Sequence, residues 1–341
     1  MKRLSTGPAA PSRRGLFGLG AGCLACGGGH LGLRATPAQA QGSGAPRWSP
    51  PEAAQRCPSR WGPDDRRGSM NLMTPDRAKR AASLIRTGRI VEMGHVLAPT
   101  MPFFGTRRFD MHLKQQFMNP EANRRGSNEE IVITEIGQVG TQFDAFPHQT
   151  IGEQAYNCVE TARISGRGGF TAMGVDTVGT IFTRAVLMDV AGFKGVPTLP
   201  DDYEITVADL EGCLARQRLA LEEGDAMLVH TGWGLLWGRE NARYVRSCPG
   251  LGVAAAEWLI ARNPMLLGAD NWPVEVAPSK TLPDASLPVH QLALVVHGVH
   301  LLENMKLDEI AASGASEFAM VVQPLKVRGG SGSTVAPSAL L

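Results

Sequence analysis

Two short segments hold the residues of this 341-residue chain best suited to chemistry. The first is Gly137-Gln138-Val139-Gly140-Thr141-Gln142-Phe143-Asp144-Ala145-Phe146-Pro147-His148. Its ligand-capable side chains fall at 138, 142, 144 and 148, even spacings that share one face of an extended or turning backbone. Glycine lets that backbone turn close to whatever they hold. Asp144 and His148 are a carboxylate and an imidazole separated by a proline turn. By composition alone the same segment also reads as a polar loop with one capping Asp and one surface His. The second segment runs from His290-Gln291-Leu292 to Leu302-Glu303-Asn304, where a histidine and a carboxylate bracket an apolar element. A buried charge needs a partner, and a metal ion is one. His297 and His300 are spaced i, i+3 beside a glycine and read as loop or core residues.

Read together, these segments resemble the cyclase family, the metal-dependent hydrolases that include bacterial kynurenine formamidases and isatin hydrolases. The family pattern His-x-Gly-Thr-His-x-Asp-x-Pro-x-His appears here as Gln138-x-Gly140-Thr141-Gln142-x-Asp144-x-Phe146-Pro147-His148. Both earlier histidines are glutamines, and the proline is displaced by one. Gly94-His95-Val96-Leu97-Ala98-Pro99-Thr100-Met101-Pro102, Thr231-Gly232-Trp233, Gly268-Ala269-Asp270-Asn271-Trp272 and Gly329-Gly330-Ser331-Gly332-Ser333 extend the likeness in order from about 90 to 335. The resemblance implies an α/β fold, a mixed-sheet β/β/α layered, swivelling domain. It also implies a divalent metal held by Gln138, Gln142, Asp144, His290 and Glu303, with His148 as general acid/base. The implied reaction is hydrolysis of a small cyclic amide, formamide or lactone. A bound ion would lower the pKa of water and polarise a carbonyl, and a histidine would move the proton. Trp233, Asp270 and Trp272 are candidate substrate contacts, although core packing or capping explains each as well. Two carboxamides in place of imidazoles make the ligand set oxygen-rich, which shifts the expected metal from Zn²⁺ toward Mn²⁺. The same substitution motivates the rival readings: a metal-free binding protein or pseudoenzyme, or a metal-dependent dehydratase or isomerase.

These residues need a scaffold to converge. Thr74-Pro75-Asp76 starts a helix that runs to Arg86 and stops at Gly88, and Thr206 caps another through Arg216. Strands are expected at 90–96, 131–136, 181–190, 225–231, 265–269 and 318–325, with Ile181–Val190 central because it is long and apolar. A further helix is expected at 253–261. Strands cluster before residue 180 and alternate with helices after it, which points to a mixed, layered α/β domain spanning 61–341.

Apolar residues make up 43% of the chain, enough for a substantial core. The net charge is only +2, and the first 40 residues carry five cations and no acid, so the rest is slightly acidic. That balance argues against nucleic-acid binding. Ser12-Arg13-Arg14-Gly15-Leu16-Phe17, a weakly apolar stretch and Ala38-Gln39-Ala40 resemble a twin-arginine export signal cut after Ala40. Cys23 leaves lipidation open. The expectation is a periplasmic enzyme, free of the membrane after cleavage, with an exposed arm over 41–60. Cys57, Cys158, Cys213 and Cys248 permit disulfides whose pairing the sequence leaves open. A homodimer or homotetramer acting on a small molecule completes the expectation.

Overall fold

Strand Ile181–Asp189 is apolar almost throughout because alternate residues enter two separate cores. It is the fourth strand of a nine-stranded sheet in the computed structural model, which describes residues 48–341 apart from Pro120. Val186 and Met188 join one apolar cluster, and Ala185 and Leu187 join the other. The next strands repeat the division, with Met227 and Val229 set against Ala226 and Leu228, and Leu301 against Leu302. Successive side chains point to opposite faces, so a strand covered on both sides loses its polar alternation.

From edge to edge the strands are Ile90–Glu92, Ser338–Leu340, Glu317–Val322, Ile181–Asp189, Ala226–His230, Leu266–Ala269, His300–Glu303, Gln142–Asp144 and Gly332–Thr334. The four from Ile181–Asp189 to His300–Glu303 are mutually parallel, and all other pairings are antiparallel. This is the mixed α/β sheet expected. Helices Val207–Gln217 and Val253–Ile260, with the helical segment from Pro288 to His297, close one core. Helix Pro75–Ala82 packs on strands Ile181–Asp189 and Glu317–Val322. Among the described residues, no helix is long and apolar enough to cross a membrane.

Local signals placed the helix starts well. Thr74 Oγ1 accepts the Arg77 N–H, and Thr206 and Asp209 cap one another's backbone N–H groups in a capping box. Helix ends and strand lengths depart from the expected ones. The first of these helices stops at Ala82, and the strand expected over 90–96 keeps only three residues. The strand expected at 131–136 belongs to Arg125–Thr134, which pairs only with Phe109–Asn119 and stands outside the main sheet. Met111, Leu113, Ile131, Val132 and Ile133 on this ribbon are all exposed, so among the described residues nothing buries them.

Of residues 48–60, the described part of the segment expected as an exposed arm, Arg56 is the one buried residue. Cys57 is bonded to Cys158, the buried Arg56 donates to Gln154 Oε1, and the Ser59 N–H donates to Asn157 Oδ1. These contacts fasten the segment to the loop around residue 157. Cys213 and Cys248 remain buried free thiols. The expected export signal, with Arg13, Arg14, Cys23 and the expected cut after Ala40, lies outside the described residues.

Candidate metal centre

Strand register brings the two chemistry-bearing segments together. Gln142–Asp144 lies between His300–Glu303 and Gly332–Thr334, with Gln142 opposite Glu303 and Asp144 opposite Leu301 and Gly332. Gly332 is required there, because a Cβ would stand 2.8 Å from the carbonyl oxygens of Gly137 and Phe143. Gly140 holds a left-handed φ of +67°, and a side chain on it would collide with Leu97. Thr141 joins three segments, donating to the Asn304 carbonyl at 2.6 Å and accepting the His95 N–H at 2.9 Å. The proline turn Phe146–His148 then returns His148 toward Asp144. Pro288 opens the short helix that carries His290.

The result is one buried cluster. His290 Nε2 lies 2.8 Å from Glu303 Oε1 and 3.9 Å from Asp144 Oδ2. The rings of His148 and His290 are 6.2 Å apart. Ligand atoms of Asp144, His148 and His290 all lie within 4.8 Å of one another. Gln138 Nε2 donates to Asp144 Oδ1 at 3.1 Å, and Gln142 Nε2 donates to Glu303 Oε2. The two glutamines therefore reach the site but turn their N–H groups toward its carboxylates. Rotating either terminal amide by half a turn would present its oxygen instead.

Burial pushes the Asp144 carboxyl up to about 6, and Glu303 adds to the shift against His148, His290 and Gln138. Burial also lowers the His148 pKa, helped by the charges of His290 and Arg107 and opposed by Asp144. For His290 burial works downward too, but bonds to Glu275 and Glu303 outweigh it and hold its pKa well above the ordinary value. Asp144 Oδ2 is buried without a hydrogen-bond partner. An unpartnered carboxylate oxygen beside two imidazoles is the environment a divalent cation would complete, so these residues fit one.

Glu275 was not among the candidates. Its Oε1 lies 2.7 Å from His290 Nδ1 and accepts the His290 N–H, while its Oε2 accepts the Val289 N–H. Glu275 therefore orients His290 from behind. The available signal was an acid flanked by Val274 and Val276, apolar neighbours that bury it. His300 is a core residue, as its spacing suggested. It stacks 4.2 Å from Phe146 and bonds the Asp144 carbonyl, and burial lowers its pKa to about 4.

A cleft of about 320 Å³ opens beside the cluster, with Gln138, Gln142 and Asn304 among the residues that line it. Trp272 lines it and stacks on Phe104 at 4.5 Å. Trp233 does not. It is fully buried in a side cluster, and its indole N–H donates to the Tyr244 carbonyl. Trp237, four residues on, takes the place on the wall expected of Trp233 and stacks on His95 at 4.4 Å. Asp270 also stays behind the wall. Its Oδ1 accepts the backbone N–H and hydroxyl of Thr231, and its Oδ2 accepts the Gly234 N–H. It fixes the turn that carries both tryptophans.

The family model named Cyclase matches residues 91–276. A crystal structure of a novel cyclase shares 31% identity, covering 82% of this chain and 96% of its own, with a TM-score of 0.74. Isatin hydrolase A from Ralstonia solanacearum shares 24% identity over 78% of this chain and 98% of its own, at a TM-score of 0.55. Isatin hydrolase A from Labrenzia aggregata, bound to benzyl benzoate, shares 22% identity over 76% and 94%, at a TM-score of 0.54. No curated protein matches the sequence.

Proposed function

The chain belongs to the cyclase family, and on that premise we propose that it is a metal-dependent hydrolase of a small cyclic amide, formamide or lactone. One observation carries the reading: the unpartnered Oδ2 of the buried Asp144, facing His290 and His148. The shared fold with two isatin hydrolases is in line with it. Asp144, His290 and Glu303 are the residues to hold the ion, and Gln138 and Gln142 can turn their amide oxygens to it. A bound divalent ion supplies a more acidic water and a polarised carbonyl. His148 accepts the proton of the attacking water at an imidazole nitrogen and returns it to the leaving nitrogen or oxygen. Glu275 keeps His290 in one orientation, and Thr141 fixes the strand end on which Asp144 sits.

The oxygen-rich set favours Mn²⁺ over Zn²⁺. Protein stripped with chelator and reloaded is expected to turn over a panel of lactones, formanilides and cyclic imides faster with Mn²⁺. Gln138→His combined with Gln142→His is expected to move the preference to zinc. If zinc serves the native protein better, or the double variant leaves the preference unmoved, the glutamines are not ligands. A metal-free binding protein is the second reading. It is favoured by the amide N–H groups that already satisfy one oxygen each of Asp144 and Glu303. Purified protein without a stoichiometric ion, inert across the panel, would select it.

The proposal includes export. The Cys57–Cys158 bridge supports an oxidising compartment, where such bonds persist. The exposed apolar ribbon supports association of copies. Periplasmic protein is expected to begin near Gln41 and to scatter light as a dimer or larger. A start at an acylated Cys23, or a clean monomer at micromolar concentration, would contradict the corresponding half.

A further inference from the structure

Arg107 occupies an unusual place on the cleft wall. Its guanidinium lies over the Phe104 ring, 5.7 Å from the centroid. Phe104 in turn stacks on Trp272, 4.5 Å away and 23° from parallel. All three line the same cleft as Gln138 and Gln142. Among the described residues, no carboxylate lies within ion-pair distance of Arg107, although its neighbour Arg108 pairs with Asp110 at 3.2 Å. The nearby Glu135 uses its Oε2 to accept the Arg108 backbone N–H. The cleft therefore presents a stacked aromatic pair, a cation above it, and a polar floor leading to Asp144 and Glu303.

Each part selects a ligand feature. Aromatic side chains on a cleft wall favour a flat ring. A guanidinium with free donors favours a carboxylate, which it can bind through two parallel hydrogen bonds. We propose that Arg107 is a specificity-determining residue that binds a carboxylate carried by the substrate, apart from the bond to be cleaved, while Phe104 and Trp272 hold the attached aromatic ring. The substrate class is thus an aromatic carboxylic acid bearing the hydrolysable amide or lactone. The inference rests on the proposed function only for the direction of the scissile bond; the anion site itself stands on the cleft.

Binding without turnover separates the two. Calorimetric titration of the full chain with benzoate and with its neutral counterpart benzamide reads the anion site alone. Benzoate is expected to bind at least about tenfold tighter, the scale of one charge-assisted contact. Arg107→Gln is expected to abolish that preference and Arg107→Lys to keep part of it, since lysine retains charge without the planar fork. The titrations are repeated after chelation, because a carboxylate can also bind a metal ion. A preference that survives Arg107→Gln but disappears on chelation would overturn the proposal by placing the carboxylate on the ion. Equal binding of the two probes by the wild-type protein would overturn it as well. A benzoate preference that depends on Arg107, in a protein inert toward every amide and lactone tried, would instead retain the anion site and defeat the hydrolase reading.

Discussion

Replacing His148 by alanine is expected to lower kcat about 10²–10⁴-fold, the usual contribution of a positioned general acid/base, with the metal content unchanged. His148 is delivered to the site by a rigid path. Its N–H donates to the Ala145 carbonyl, the Ala145 N–H donates to the Ser331 carbonyl, and Pro147 stiffens the turn between Asp144 and His148. The imidazole thereby stands beside His290, its ring centre 6.2 Å away. Burial and the charges of His290 and Arg107 favour its neutral form, the form that can take a proton. The same location leaves a second role open to experiment, since its ligand atom groups with those of Asp144 and His290. Metal content measured alongside activity discriminates the roles. If His148→Ala loses ion and turnover in parallel, the residue is a ligand and another group moves the proton.

Glu275→Ala is expected to destabilise the protein by about 3–5 kcal/mol, the range for breaking a buried charged pair from one side. Three donors would lose their acceptor together: the Val289 N–H, the His290 N–H and His290 Nδ1. All of them are buried, so water cannot substitute without opening the helix that carries His290. Glu275→Gln keeps the shape and one carbonyl acceptor. It is expected to fold, and to weaken metal binding by about 10–100-fold, as altered support for a ligand histidine does. Denaturant unfolding of both variants, with metal titration of the second, measures the two effects. An alanine variant within about 1 kcal/mol of the wild type would mean that His290 is held by Glu303 and packing alone.

Several features were legible in the sequence because they depend on short-range chemistry. Thr74 and Thr206 cap helices since a hydroxyl can reach an N–H three residues on. The run from Ile181 announces a strand buried on both faces because only Thr183 and Arg184 interrupt its apolar side chains before Asp189. Thr183 donates to the Gly224 carbonyl, and Arg184 is paired with Glu222, Asp225 and Glu317. Asp144, His148, His290 and Glu303 stood out because charged and imidazole groups beside apolar runs need partners. The partners themselves were decided elsewhere. Glu275 lies 15 residues before His290, and only the path of the chain between them sets it against Nδ1. Cys57 meets Cys158 across 101 residues, a pairing that composition leaves fully open. Trp233 and Trp237 have similar local surroundings, yet the turn fixed by Asp270 buries the first and sends the second to the cleft. Residues 131–136 read as an alternating strand, but the pairing of Arg125–Thr134 with Phe109–Asn119 alone leaves that segment outside the main sheet. Residue type and spacing specify what a segment can do within a few positions of itself. Which faces meet depends on strand order and register across the whole sheet, and those follow from the simultaneous burial of many apolar surfaces that no local window contains.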